Sequence, residues 1–400
     1  MQLGWPFLLF LYMYALSVLG SPAGVDGQVL TSYEPNVFHA HSAIIALQQW
    51  YNETTGLWET TGWWNSANAL TMLADFAWVD SSLDVVAGHV FQNTFSRAQK
   101  TSLETIKVMT PYSVTTYTGP KFPPWIIPPK NGFAGFLNDF YDDEGWWGLA
   151  WLQVYDLTKQ QQYLQAAIDI FEDMRKGWGG TCGGLWWNKQ HSYKGAIENA
   201  LFLTVAAQLA NRASNKEYYL YWAWKEWDWF QRTGMINAHY NINNGINLVT
   251  CRNDNGIVWS YNQGVILGGL LELYTAAPNK THLIMAERIA LAGIKFLSDP
   301  SGILRDPCEP SCGADGPQFK GIFMRNLQKL QLAIPNNRFK TFINENANSI
   351  WLNDRGSGNQ LGLLWSGPFM GATASTQSSA ADALVAALAV GGQKVNLNVQ

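Results

Sequence analysis

The chain has 400 residues, 47% of them apolar and 14% charged, which is enough apolar material for a large core and excludes a disordered or acidic-tail protein. Its net charge of -4 is small for that length, and no Lys/Arg run alternates with exposed aromatics, so the electrostatic footprint of a nucleic-acid partner is missing. Length alone is compatible with one large domain or with two or three average ones, so the domain count has to come from the repeat pattern.

The first twenty residues, MQLGWPFLLFLYMYALSVLG, are apolar and uncharged, and the composition then turns to SPAGVDGQ, as at a signal-peptide cleavage site after Gly20. The rival reading is an uncleaved anchor, because the segment lacks a leading Lys or Arg and is nearly long enough to span a bilayer. Residues 21–36 read as a flexible N-terminal segment, 37–392 as one domain, and 393–400 as a polar tail. The closing GGQKVNLNVQ is unlike the hydrophobic tail of a GPI signal. The expectation is therefore a secreted monomer with no stable membrane anchor.

Between these ends runs a weak internal repeat, in which a polar-faced helix is followed by a Gly- and Trp-rich loop and then by an apolar helix rich in small residues. The polar-faced helices are predicted at about 39–52, 82–100, 161–176, 215–232, 281–298 and 337–353. Their partners begin near GWWNSANAL, DDEGWWGLAW, YKGAIENALFL, SYNQGVILGGLL, FKGIFMRNL and STQSSAADALVAALA. Trp147, Trp151, Val154 and Tyr155, like Ile197, Leu201, Thr204 and Val205, recur at helical spacing, and strands are hardly signalled. Ala, Gly and Ser in the second helices suit close packing as an inner layer. Six outer and six inner helices describe an all-α (α/α)6 barrel, with an open solenoid as the competing fold. Unequal repeat lengths and the Pro-rich 101–141 insertion, which contains TGPKFPPWIIPPKNG, weigh against the solenoid and against a helix in the insertion.

The chemistry concentrates just after that insertion. NDFYDDEGWW at 138–147 places Asp139, Asp142, Asp143 and Glu144 beside two tryptophans where an inner helix begins. A single Asp there has a structural explanation as a helix cap, but four acids together do not. Glycoside hydrolysis needs two carboxyl groups, one to protonate the leaving oxygen and one to attack the anomeric carbon or to activate water. An adjacent pair supplies both only where the backbone turns into the helix, because neighbours within a helix point about 100° apart. Like charges held close raise one pKa, and the short gap suits a retaining reaction. Both carboxylates are expected in an open groove.

Trp occurs 20 times and Tyr 16 times, and Trp63, Trp64, Trp146, Trp147, Trp186 and Trp187 fall in the segments that open inner helices, where sugar rings stack on indole faces. The competing reading places about half of these six in the core. Asn65, Asn68, Lys194, Asn199, Tyr261, Asn262, Gln263, Lys320 and Arg325 stand at matching places in the repeats and are candidates for hydrogen bonding to sugar hydroxyls or to buried backbone. Cys182, Cys251, Cys308 and Cys312 fit two disulfides better than a zinc site or a catalytic thiol. Pairing Cys308 with Cys312 would leave Cys182 with Cys251, although sequence allows three connectivities. Asn52 and Asn279 head the two glycosylation sequons.

YDDEGWWGLAW at 141–151, GGLWWN at 183–188 followed by KGAIENALFL at 194–203, and SYNQGVILGGLLELY at 260–274 together resemble glycoside hydrolase family 76, across roughly residues 35–390. The resemblance implies an (α/α)6 barrel acting on α-1,6-linked mannan or manno-oligosaccharides with retention of configuration, Asp142 as nucleophile, Asp143 as general acid/base, and no metal or organic cofactor. It also implies a close alternative, transfer of the glycosyl group to another sugar in a cell wall. A noncatalytic mannan-binding protein is the reading from another class, and the intact aspartate pair speaks against it. An epimerase on the same barrel would need paired cavity histidines, and none of the six His falls within a predicted inner helix.

Overall fold

The computed structural model describes residues 33–99, 105–110, 113–118 and 135–391. The proposed signal peptide and the polar tail lie outside them. Twelve α-helices make up these described residues: α1 (Tyr33–Leu47), α2 (Trp63–Val79), α3 (Asp84–Ala98), α4 (Tyr141–Thr158), α5 (Gln161–Lys176), α6 (Ala196–Arg212), α7 (Lys216–Thr233), α8 (Ser260–Ala276), α9 (Lys280–Phe296), α10 (Phe319–Ala333), α11 (Asn337–Asn353) and α12 (Ala374–Gly391). Each even-numbered helix packs on the next even-numbered helix, and α12 returns to pack on α2, so the six close into an inner ring. The odd-numbered helices pack on the outside of that ring. This is the (α/α)6 barrel, and closure of α12 on α2 rules out the open solenoid.

The two layers differ in sequence for a physical reason. An outer helix buries one stripe, as α5 does with Tyr163, Leu164, Ala167, Ile170, Phe171 and Met174 at three-to-four spacing. An inner helix is buried all round, as α12 is from Ala374 to Val390. Inner helices then need small residues where they cross: a Cβ on Gly264 of α8 would stand 2.6 Å from Phe323 Cα of α10, and one on Gly321 of α10 would stand 2.6 Å from Ser379 Cα of α12. Polar ties cross the ring too. Arg325 of α10 pairs with Asp382 of α12 at 3.2 Å and also donates to Asn68 Oδ1 of α2, which gives Arg325 and Asn68 structural partners.

The boundaries differ from the sequence reading at two places. Helix α1 starts at Tyr33, so the last four residues of the segment read as flexible are helical, and it ends at Leu47, after which Tyr51–Asn52 (β1) pairs with Leu57–Trp58 (β2). The 101–141 insertion carries an antiparallel hairpin of β3 (Thr105–Thr110) and β4 (Ser113–Thr118), with Thr105 opposite Thr118. The β-branched residues of TIKVMT and SVTTYT favour that pairing, a strand signal that the helical repeat overshadowed. A third short pair joins β5 (Ile246–Asn247) to β6 (Arg252–Asn253). Cys182 is bonded to Cys251 and Cys308 to Cys312. No helix among the described residues is long and apolar enough to cross a membrane.

Candidate active site

One pocket opens where the inner helices begin. Its wall includes Trp64 from α2, Asp142 and Trp146 from α4, Ile197 and Glu198 from α6, Tyr261 from α8 and Phe319 from α10. Each stands in the first two turns of its helix, so the ring itself assembles the wall from residues far apart in sequence. The remaining lining comes from Trp187, Tyr193 and Gly195 in the loop before α6, from Asn244, and from Asp315. The space between these side chains, with the open mouth included, is about 450 Å³.

The four acids of NDFYDDEGWW do not act as one cluster. The chain is already helical at Tyr141, after an extended Phe140, so Asp142 and Asp143 are neighbours inside a first helical turn and diverge as such neighbours must. Asp142 lines the pocket at 7% exposure; Asp143 is fully buried at 0% and accepts a 2.7 Å hydrogen bond from Asn138 Nδ2. Both side chains were expected in an open groove; both are buried, and of the two only Asp142 lines the pocket. Glu144 turns into the protein, where Lys189 Nζ pairs with it at 2.9 Å and the Asn138 N–H donates to it at 3.0 Å. Asp139 accepts from Gln190 Nε2 at 3.2 Å outside the pocket. Helix α4 directs its N-terminus at this region, which favours negative charge there.

The tandem tryptophans separate by the same rotation. Trp64 and Trp146 face the pocket and stack on each other, their ring centroids 5.6 Å apart. Their neighbours Trp63 and Trp147 meet at 5.5 Å in the core, where Trp147 also packs on Phe136 and Trp151. Of the third pair, Trp187 lines the pocket, whereas Trp186 lies between His191, stacked at 5.0 Å, and the Lys194 ammonium, 3.9 Å from its ring centroid. Tyr261 completes the aromatic wall, stacked on Phe319 at 3.9 Å.

Most of the polar candidates hold the loops that shape the pocket. Lys194 Nζ donates to the carbonyls of Gly179 and Gly184 at 2.7 and 2.9 Å. Asn199 accepts from the Leu185 N–H and donates to the carbonyls of Leu185 and Gly195. Gln263 does the same for Ile242, at 2.8 and 2.9 Å. Asn65 accepts from the Gly62 N–H at the start of α2, and Lys320 pairs with Glu309 at 2.8 Å while donating to the Leu363 carbonyl. Two of this group touch pocket residues: Asn199 through Gly195 and Glu198, and Asn262 by donating to Asn244 Oδ1 at 3.4 Å. Buried backbone needs partners, and long amides and ammonium groups supply them across these Gly-rich loops.

Glu198, Tyr193, Asn244, Asp315 and Phe319 were not expected from sequence. Glu198 stands three residues after Gly195, which reads as a helix-capping position, and its Oε1 does accept from the Gly195 N–H. Asp315 accepts from Trp64 Nε1 at 2.8 Å, and Tyr193 donates to Asp254 Oδ2 at 2.7 Å. Burial, with Asp142 adding to it, raises the Glu198 carboxyl to about 8. Burial likewise lowers the Lys194 ammonium to about 8, opposed by Glu198 and Glu226. Burial together with the charges of Asp142, Glu198 and Asp315 holds the Tyr261 phenol well above its usual range, so it stays a neutral donor. Among the described residues no group of three or more His, Cys, Asp or Glu is arranged to hold a metal ion.

Solved structures share this architecture. The alpha-1,6-mannanase of a Salegentibacter species superimposes with a TM-score of 0.72 at 21% identity over 89% of this chain and all of that one, as an inactive variant with two consecutive aspartates changed to asparagine, in complex with alpha-1,6-mannotriose. Dfg5 of Chaetomium thermophilum, in complex with glucosamine, gives 0.73 at 20% identity over 92% and 93% of the two chains. Mannan endo-1,6-alpha-mannosidase DCW1 of Candida albicans is 28% identical over 215 residues, and a putative mannan endo-1,6-alpha-mannosidase of Schizosaccharomyces pombe is 30% identical over 214 residues. Each match covers 48% of this chain, and the chain spans about half the length of these relatives. The glycosyl hydrolase family 76 profile matches residues 39–397, and the chain belongs to that family.

Proposed function

We propose that the protein hydrolyses α-1,6-mannosidic bonds within mannan, with retention of configuration, through a covalent glycosyl-enzyme on Asp142. The observation that carries this reading is the position of Asp142: a carboxylate at the N-terminus of an inner helix, in a pocket walled by Trp64, Trp146, Tyr261 and Phe319. Aromatic faces suit the C–H faces of sugar rings, and a carboxylate in the same pocket suits attack on an anomeric carbon. In the same reading Asp143, fixed by Asn138, gives its proton to the leaving oxygen and later removes one from the incoming water. The two consecutive aspartates changed in the inactive Salegentibacter mannanase support the pairing of roles, and the names of the fungal relatives support the substrate. Two disulfides suit action outside the cell, on wall mannan.

The test is incubation of the purified protein with linear α-1,6-mannan and with short α-1,6-manno-oligosaccharides, resolving products by size over time. Shorter products alone fit the proposal. Products longer than the starting oligosaccharide would show transfer to sugar from the same intermediate, and no change would leave a binding protein.

A further inference from the structure

Glu198 is a titratable group that the proposed mechanism does not use. It lies in the first turn of α6, is fully buried, and lines the same pocket as Asp142. Its two oxygens have different surroundings. Oε1 accepts from the Gly195 N–H and from Asn199 Nδ2, whereas Oε2 is buried and has no hydrogen-bond partner among the described residues. A buried carboxyl oxygen without a partner is unfavourable, so its retention on a pocket wall calls for a ligand that completes it. Gly195 keeps the space beside Oε2 clear: a Cβ there would stand 2.7 Å from Oε2 and 3.2 Å from the Tyr193 ring.

We propose that Glu198 is a substrate-contacting residue, whose Oε2 hydrogen-bonds a hydroxyl of the mannosyl ring seated against Asp142. This rests on the mannanase reading and adds a third carboxyl to it, one that binds the reacting sugar without taking part in bond breaking. Among the described residues no Lys or Arg lines the pocket to pair with it. The groups facing it are Asp142 from α4, Tyr193 and Lys194 from the preceding loop, and Tyr261 from α8. With the carboxyl raised to about 8, Glu198 is neutral in acid and neutral solution and donates its proton to a sugar oxygen. Ionisation above that pH removes the donor and adds a second negative charge near Asp142.

The experiment measures α-1,6-mannotriose binding by calorimetry between pH 5 and 9, in an Asp143→Asn background that slows turnover roughly 10²- to 10⁴-fold. Glu198→Ala should weaken binding about tenfold at pH 5.5, the effect of one good hydrogen bond. Glu198→Gln, which keeps both the shape and a donor, should bind nearly as well as the background at pH 5.5 and should lose the weakening that sets in above pH 8. Lys194 titrates in the same range, so the difference between the Glu198→Gln variant and the background carries the assignment. Equal affinity for Glu198→Ala and the background, or the same pH dependence for Glu198→Gln and the background, overturns the proposal. Absence of binding with Glu198 intact overturns the mannanase reading along with it.

Discussion

Asn138 Nδ2 donates to Asp143 Oδ2 at 2.7 Å, and the backbone N–H of the same asparagine reaches Glu144 Oε1 at 3.0 Å, so one residue ahead of α4 orients two consecutive acids in its first turn. Of this acidic run only Asp142 lines the pocket, and the Asn138 amide is one of the groups that hold Asp143 behind it.

On the proposed roles, Asn138→Ala should lower kcat on α-1,6-mannan by about 10- to 100-fold with KM nearly unchanged, less than the roughly 10²–10⁴ expected for Asp143→Asn if Asp143 is the general acid/base. Asp142→Asn should abolish turnover with little change in melting temperature. Reducing-end release over a range of substrate concentrations separates the two parameters. An Asn138→Ala enzyme with wild-type kcat would show that Asp143 needs no such support.

The tandem tryptophans predict opposite phenotypes for adjacent residues. Trp64→Ala removes a pocket face and should raise KM several-fold with a small change in stability. Trp63→Ala empties a core site against Trp147 and should cost about 3–5 kcal/mol of stability. Thermal unfolding and KM, measured on both variants, give a crossed pattern if the assignment is right. Equal effects on both quantities would not fit.

Those pairs also show how far the sequence could be read. The six helical hairpins were legible because inner and outer helices must differ in their buried faces, and α5 and α12 carry that difference plainly. Which indole of a WW pair enters the pocket was not legible, because it depends on helix rotation, set by partners such as Phe136 and Trp151 that are distant in sequence or in another turn. Lys194 and Gln263 read as sugar ligands and serve as loop supports, because a long polar chain suits both tasks and only the path of the Gly-rich loops decides. Glu198 escaped notice because its capping role and its place on the pocket wall use the same side chain.

Buried acids set the pH dependence of stability. Burial raises Glu226 and Asp354 to about 8 and Asp382 to about 7. Across the range from about 4 to 8 these groups hold protons in the folded protein that they release when unfolded, so stability falls as pH rises. Asp173, held down by Lys189 and Lys176 against its desolvation, and Glu272, held down by Arg212 against its own, work the other way and lose their contribution as pH falls below the usual carboxylate range. The melting temperature should be highest near pH 5 and decline toward pH 8. Glu226→Gln, which leaves an acceptor for Trp178 Nε1, should flatten that decline, and an unchanged slope would remove Glu226 from the account.

The two disulfides should contribute unequally. Cys182–Cys251 closes a separation of 69 residues and Cys308–Cys312 one of 4, so loop-closure entropy gives about 4 kcal/mol for the first and about 2 kcal/mol for the second. Geometry adds a functional difference. Cys182 lies in the loop that carries Trp186 and Trp187, and its carbonyl accepts from Trp229 Nε1 at 2.7 Å. Cys182→Ser with Cys251→Ser should thus lower the melting temperature further than Cys308→Ser with Cys312→Ser. It should also raise KM, because Trp187 borders the pocket and depends on that loop. Calorimetric unfolding paired with mannan kinetics on the two double variants checks both statements. A wild-type KM in the first would mean that Lys194 and Asn199 hold the loop without the disulfide.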